Sequence, residues 1–145
     1  NNKILIKNIL KTNKPTFIST GLSDFAEISK LIQFIKPNIQ NVTLIHTTLR
    51  QDIKYVNLNA ITELSKKFHL PVAFGNHCKN PMVLFTSIAY NPSDIFFYVK
   101  GSRYKHHQDD KHAIKLKYLN WYVKNLKEIK LNLRKGTKMK LTIPL

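Results

Sequence analysis

The sequence predicts an α/β fold with a parallel sheet, built from one helix followed by four strand–helix units. Two observations predict it. Four short apolar runs are nearly continuous in hydrophobicity, as expected of strands covered on both faces. An amphipathic helical pattern follows each run, so the strands are joined by the crossovers that parallel pairing needs. The 145 residues are enough for one domain with a buried core.

The elements follow in a regular order. An opening helix is expected over residues 4–11. After the first strand, apolar residues between positions 22 and 35 form one stripe of a predicted helix. Asp24 and Glu27 are spaced like a capping box at its start, and Pro37 ends it. The four predicted strands are Thr16–Thr20, Val42–His46, Val72–Gly75 and Asp94–Val99.

The later helices are predicted in the same way. Asn57 is the expected cap of a helix whose apolar residues run from Leu58 to Phe68. Asn80 and Pro81 are typical of a cap and a first helical position, respectively. A long final helix is expected over residues 116–129.

Polar residues follow every predicted strand at its carboxyl end. Carboxyl ends are where a (β/α)8 barrel carries its chemistry, and four units make half of such a barrel. No glycine-rich phosphate motif follows the first strand, which disfavours dinucleotide-binding and P-loop sites. The polar strand ends are Ser19-Thr20-Gly21, His46-Thr47-Thr48, Gly75-Asn76-His77 and Tyr98-Val99-Lys100.

The charge is strongly basic, with a formal net charge of +16. Residues 100–145 carry 13 basic and 3 acidic side chains, so most of the excess lies in the last third. Such an excess can mark a nucleic-acid or anionic partner. Most of these lysines interleave with apolar residues at helical spacing, which favours solvated helix faces and makes a nucleic-acid partner a weak expectation. The lone Cys78 suits a reducing cytoplasm, and no apolar run is long enough to span a membrane.

Five segments resemble one family in the right order. Residues 14–21 (KPTFISTG) resemble its "KP-(apolar)-STG" strand, and residues 44–48 (LIHTT) its "LLHCTS" strand. Residues 56–61 (VNLNAI) match a helix start, residues 70–78 (LPVAFGNHC) align with "LPVGYSDHT", and residues 110–113 (DKHA) fall on "PDHKAS". The chain therefore resembles the sialic acid synthase family, the bacterial N-acetylneuraminate, legionaminate and pseudaminate synthases.

This resemblance implies a specific chemistry. The family condenses phosphoenolpyruvate with an N-acetylated aminosugar of the mannosamine type, and a divalent metal, typically manganese, polarises the sugar's aldehyde oxygen. The four strands would be the fifth to eighth of its (β/α)8 barrel. By the same resemblance, His77 is the expected metal ligand, Ser19 contacts phosphoenolpyruvate, and Asp110 binds the aminosugar.

Several positions depart from the family pattern, and three of them bear directly on the expected site. Tyr98 stands where the family has its second metal-binding histidine, Gly75 replaces a phosphate-contacting serine, and Asn76 replaces an aspartate. Neutral tyrosine is a poor manganese ligand. These departures leave open whether the protein is an enzyme. They favour a truncated or degenerate synthase-like protein over an active fragment completed by a separate N-terminal half. A catalytically dead remnant that acts as a basic nucleic-acid- or glycan-binding module is the alternative.

The segment Gly101–His112 (GSRYKHHQDDKH) holds metal-ligand residue types, but adjacent residues on a loop rarely converge on one ion. We therefore expect His106, His107 and His112 to be solvated. The half-barrel is assigned to residues 1–132 and a basic tail to residues 133–145. Two open sheet edges predict that the chain self-associates.

Overall fold

The computed structural model describes residues 2–102 and 107–133 and has the predicted α/β fold. Within those ranges the helices are α1 (Lys3–Leu10), α2 (Phe25–Ile35), α3 (Asn59–Phe68), α4 (Met82–Ser87) and α5 (Leu119–Asn132). The strands are β1 (Thr16–Ser19), β2 (Val42–Thr47), β3 (Val72–Gly75), β4 (Ile95–Phe96), β5 (Val99–Lys100) and β6 (Ile114–Lys115). Short 3₁₀ turns cover Lys36–Asn38, Ile53–Tyr55, Ile88–Tyr90, Gln108–Lys111 and Leu116–Tyr118.

The main sheet has the order β1-β2-β3-β4, and all of its pairs are parallel. Its outer face packs against the helices and forms the core. Leu44 and Phe74 project from this face and are at most 2% exposed, because helical side chains such as Ile61 and Leu84 cover them. The predicted order of units therefore holds, and β1 and β4 are the two edges.

The inner face of the sheet is concave. Phe17 on β1 and Phe96 on β4 project from it, and their ring centroids lie 5.1 Å apart although the strands are opposite edges. Three strand spacings in a flat sheet would separate them by about 14 Å. The strands are also staggered. Phe17 pairs with Thr43 on β2. Phe96 pairs with Gly75, which pairs with Thr47, so Phe96 lies level with a position four residues further along β2. A barrel of shear 8 displaces each strand by about one residue, so the sheet has the curvature of a barrel wall.

The predicted strand Asp94–Val99 is wrong as one continuous element. Ile95 and Phe96 pair with β3, but the chain then leaves the main sheet and β5 pairs in parallel with β6. The Tyr98 carbonyl accepts a 2.8 Å hydrogen bond from the Ile114 N–H. The end of the predicted strand therefore pairs with β6, which follows the next loop, and not with β3.

The structure agrees with some of the predicted helix caps and not with others. Asp24 and Glu27 form the expected capping box, with the Glu27 N–H donating to Asp24 Oδ1 at 2.8 Å. Asn57 is not a cap, because its backbone is left-handed (φ 46°) and α3 begins after Leu58. Asn80 Oδ1 accepts from the Met82 N–H at 3.0 Å, so it serves the first turn of α4 as expected.

None of the helices in the described ranges combines the length and hydropathy that a membrane crossing needs. The last helix ends at Asn132. From residue 134 onward, the predicted basic tail lies outside the described residues.

Candidate active-site recess

The carboxyl ends of the four strands surround one recess of about 330 Å³ on the concave face. It brings together five of the residues singled out in the sequence: Ser19, Gly75, Asn76, His77 and Tyr98. Strand direction explains this, because parallel strands end at the same edge of the sheet. The full lining is Ser19, Ile45, Thr47, Gly75, Asn76, His77, Phe96, Phe97 and Tyr98.

Two residues with hydroxyl groups line this recess. Ser19 is exposed, and its Oγ lies 3.5 Å from the Gly21 N–H that donates to it. Thr47 is buried, and its Oγ1 has no hydrogen-bond partner among the described residues. A buried hydroxyl without a partner is costly in a folded protein. The Ser19 hydroxyl is accessible to an anionic ligand in the recess, whereas the Thr47 hydroxyl is covered by its neighbours.

The backbone at Gly75 lies close to strand β2 and leaves no space for a side chain there. A Cβ added there would lie 3.1 Å from both Ile45 Cγ2 and Thr47 Cβ, and 3.3 Å from Thr47 Oγ1. These contacts are shorter than ordinary van der Waals distances. The serine that the family pattern has at this position would therefore not fit without movement of β2.

His77 lies in an aromatic cluster with Tyr98 and His112. The His77 ring centroid is 5.3 Å from that of Tyr98 and 5.0 Å from that of His112, and the Tyr98 and His112 centroids are 4.9 Å apart. The expectation that His112 is solvated is wrong, since its side chain is only 1% exposed. His107 is solvated as expected, with a side chain 68% exposed, and His106 lies outside the described residues.

Burial lowers the pKa of His112 below its ordinary value, and the neighbouring His77 acts in the same direction. The nearby Asp109 carboxylate opposes this shift of the His112 pKa. At neutral pH the imidazole is therefore uncharged, and the lone pair on one ring nitrogen is available to a ligand.

Asp109 is a residue that the sequence interpretation missed. Its Oδ1 lies 3.5 Å from His112 Nε2, and a ligand atom from each of His77, Asp109 and His112 can be placed within 4.8 Å of the other two. The signal was the spacing Asp-x-x-His. Residues three apart are eclipsed on a 3₁₀ turn, and Gln108–Lys111 forms such a turn.

Asp110, expected to bind the aminosugar, does not line the recess. Its Oδ2 accepts from the His107 N–H at 3.0 Å, and its carbonyl accepts from Lys100 Nζ at 2.6 Å. Its side chain thus caps the turn that carries Asp109. The sugar-binding role stays a prediction.

The remaining buried histidine, His46, lies on the outer face of β2. Its Nε2 donates to the Val56 carbonyl at 2.9 Å, and burial lowers the His46 pKa despite this bond. His46 therefore holds the turn before α3 in place and takes no part in the recess.

The curved parallel sheet and its polar strand ends define one half of a (β/α)8 barrel with a candidate active-site mouth. A family model described as the NeuB family matches residues 1–138. The chain belongs to the NeuB family, and the resemblance predicted from its motifs is confirmed.

Individual relatives agree with this assignment. An uncharacterized protein of Methanocaldococcus jannaschii is 33% identical over 88 residues, which are 59% of this chain and 26% of that protein. An N,N'-diacetyllegionaminic acid synthase of Campylobacter jejuni is 30% identical over 89 residues, 58% of this chain and 27% of the synthase. The chain therefore matches about a quarter of the length of these curated relatives.

A solved structure shows the same fold. The crystal structure of an N-acetylneuraminic acid (sialic acid) synthetase from Leptospira borgpetersenii, in complex with citrate, has a TM-score of 0.86 to this chain at 20% identity. The match covers 97% of this chain and 50% of that one. The half-barrel described here thus corresponds to half of the solved chain.

Proposed function

We propose that this chain forms the C-terminal half of the catalytic barrel of a sialic acid synthase-like protein in nonulosonic acid biosynthesis. In this proposal the recess binds phosphoenolpyruvate next to an N-acetylated aminosugar. The observation that carries it is the convergence of Ser19, Thr47 and His77 in one recess at the strand ends of a NeuB-family fold.

Phosphoenolpyruvate carries a phosphate and a carboxylate, and both need hydrogen-bond donors. The exposed Ser19 hydroxyl supplies one donor at the end of β1, and the covered Thr47 hydroxyl at the neighbouring strand end would supply a second only after a small movement of β2. The formal net charge of +16 favours the encounter with a multiply charged anion.

The metal that the family uses fits part of this site. His77 offers an imidazole at the rim of the recess, whereas Tyr98, at the position of the family's second ligand, offers only a neutral phenol. A bound divalent cation would act as a Lewis acid on the aldehyde oxygen of the sugar. His77 would hold that cation on the side of the recess where the sugar binds.

Catalysis in this proposal requires four further strands. Phe17 is 44% exposed and Phe96 is 42% exposed on the concave face, which in a closed barrel is filled by layers of side chains. These two rings would be covered by the strands that complete the barrel, or by a second copy of this half.

Ligand-dependent stability tests the proposal. We expect phosphoenolpyruvate to raise the Tm of the chain and pyruvate, which lacks the phosphate, to raise it less. Saturation at 100 times Kd corresponds to about 2.7 kcal/mol of stabilisation. Ser19→Ala should reduce the shift, whereas Ser29→Ala on α2 serves as the matched control. Equal Tm values with and without phosphoenolpyruvate would reject the proposed substrate.

A second candidate is a protein of the same family that binds but does not turn over. Tyr98 at the second ligand position and the closed space at Gly75 favour it. Mixing the chain with a polypeptide that carries the first four strands separates the two candidates. Aminosugar-dependent release of phosphate supports a synthase, and ligand binding without release supports the non-catalytic protein.

A further inference from the structure

The His112 side chain is buried without satisfying its polar atoms. It is 1% exposed, and neither Nδ1 nor Nε2 makes a hydrogen bond with any described residue. Leaving a buried polar group unpaired costs about 1–3 kcal/mol, so folded proteins rarely retain one. Either ring nitrogen that carries a lone pair is therefore available to coordinate a metal ion.

Two further ligand-type side chains face the same point. Asp109 Oδ1 is 3.5 Å from His112 Nε2, and the His77 ring centroid is 5.0 Å from that of His112. One donor atom from each of the three residues lies within 4.8 Å of the other two. Metal–ligand bonds of about 2.0–2.2 Å would place donors about 3.0–3.5 Å apart, which small side-chain rotations can achieve.

We propose that His77, Asp109 and His112 bind a divalent transition-metal cation. In this arrangement the loop before β6 supplies two ligands in place of the one that Tyr98 cannot provide. This inference deepens the proposed function by naming the ligands of its metal, but it stands on the geometry of the three side chains.

The fold brings the loop to this position. Pairing of β5 with β6 sets Ile114 against Val99, and the Tyr98 carbonyl accepts from the Ile114 N–H at 2.8 Å. Residues just before β6 are thereby returned to the side of Tyr98. The 3₁₀ turn then aligns Asp109 with His112, and His77 at the end of β3 completes the set.

The donor set discriminates among cations. Two imidazoles and one carboxylate with open positions suit zinc, iron(II) or cobalt(II), whereas magnesium and calcium prefer oxygen ligands. The usual order of affinities places Zn²⁺ above Mn²⁺. A cation held by these residues would lie beside the recess, because His77 also lines it.

Cobalt provides a probe that does not depend on activity. The full chain, stripped of metal with a chelator, is titrated with Co²⁺ while visible absorption is recorded, and then with Zn²⁺ in competition. We expect one equivalent of Co²⁺ to produce visible bands and Zn²⁺ to displace it. Asp109→Asn, which keeps the shape of the side chain, and His112→Gln should each weaken binding at least tenfold.

His69→Asn is the matched control. His69 is exposed, and its left-handed backbone (φ 53°) tolerates asparagine, so Co²⁺ affinity should stay within twofold of the parent. Far-UV circular dichroism of each variant checks that the fold is retained. The inference is overturned if Co²⁺ gives no visible bands, or if Co²⁺ affinity is unchanged in both Asp109→Asn and His112→Gln.

The two proposals can fail separately. Phosphoenolpyruvate binding is measured in the chelated protein, so a negative metal titration with a positive Tm shift rejects only the metal site. A cobalt spectrum that depends on His112, together with no Tm shift from phosphoenolpyruvate, supports the metal site and rejects the proposed substrate.

Discussion

Replacing Gly75 by alanine should destabilise the protein through overpacking of the recess wall. The new Cβ would lie 3.1 Å from Ile45 Cγ2 and from Thr47 Cβ, about half an ångström inside an ordinary carbon–carbon contact. Thr47 Cβ is bonded directly to the backbone of β2 and cannot rotate away, so the strand itself must shift.

The magnitude follows from two opposing effects. Overpacking costs about 1–3 kcal/mol, whereas replacing glycine restricts the unfolded chain and returns about 0.4–1 kcal/mol. We expect a net loss of about 1 kcal/mol in the free energy of unfolding. In a domain of this size that lowers Tm by about 2–4 °C.

Gly21→Ala is the matched control, because it adds the same methyl group near Ser19 and Thr47 without a close contact. Its Cβ would meet Ser19 Oγ and Thr47 Cγ2 at 3.7 Å, and its φ is not positive. This variant should match the parent or gain about 0.5 kcal/mol. Urea unfolding followed by far-UV circular dichroism measures both. A Gly75→Ala protein as stable as Gly21→Ala would refute the reasoning.

Three further outcomes follow from burial and exposure. Because burial lowers the pKa of His46, the unfolded chain binds the proton more readily, so stability present above pH ~6.5 falls as the pH drops through the folded-state pKa. His46→Gln should flatten that loss in urea titrations between pH 7 and 5, and an unchanged slope would contradict it. Leu84→Ala, at 0% exposure, should cost about 2–5 kcal/mol, whereas Leu22→Ala, at 85% exposure, should change stability by less than about 0.5 kcal/mol. Sedimentation should show concentration-dependent self-association that the double substitution Phe17→Ser and Phe96→Ser reduces, and a monomeric parent at high concentration would contradict this.

The strand–helix order could be predicted from sequence because each unit carries a local signal. Apolar runs such as Val72–Gly75 are buried on both sides, so their composition alone marks them as strands. The capping box at Asp24 is equally local. The end of β4 could not be predicted, because the pairing of Val99 with Ile114 depends on a contact distant in sequence.

In the candidate site, residues at strand ends could be predicted from sequence and the loop residue could not. Ser19 and His77 stand at strand ends, whose meeting place is fixed by parallel topology, so their position in one recess could be predicted from sequence. His112 depends on how a loop folds back, and no local pattern specifies that path. Its burial therefore contradicted the expectation of a solvated side chain, although the Asp-x-x-His spacing was visible in the sequence.

The contact between Phe17 and Phe96 has a consequence for assembly. The four strands already have the bend and stagger of a barrel wall, so a completing half would meet a surface of the correct shape. Association then avoids the free-energy cost of bending the sheet and is limited mainly by desolvation and lost rotational freedom.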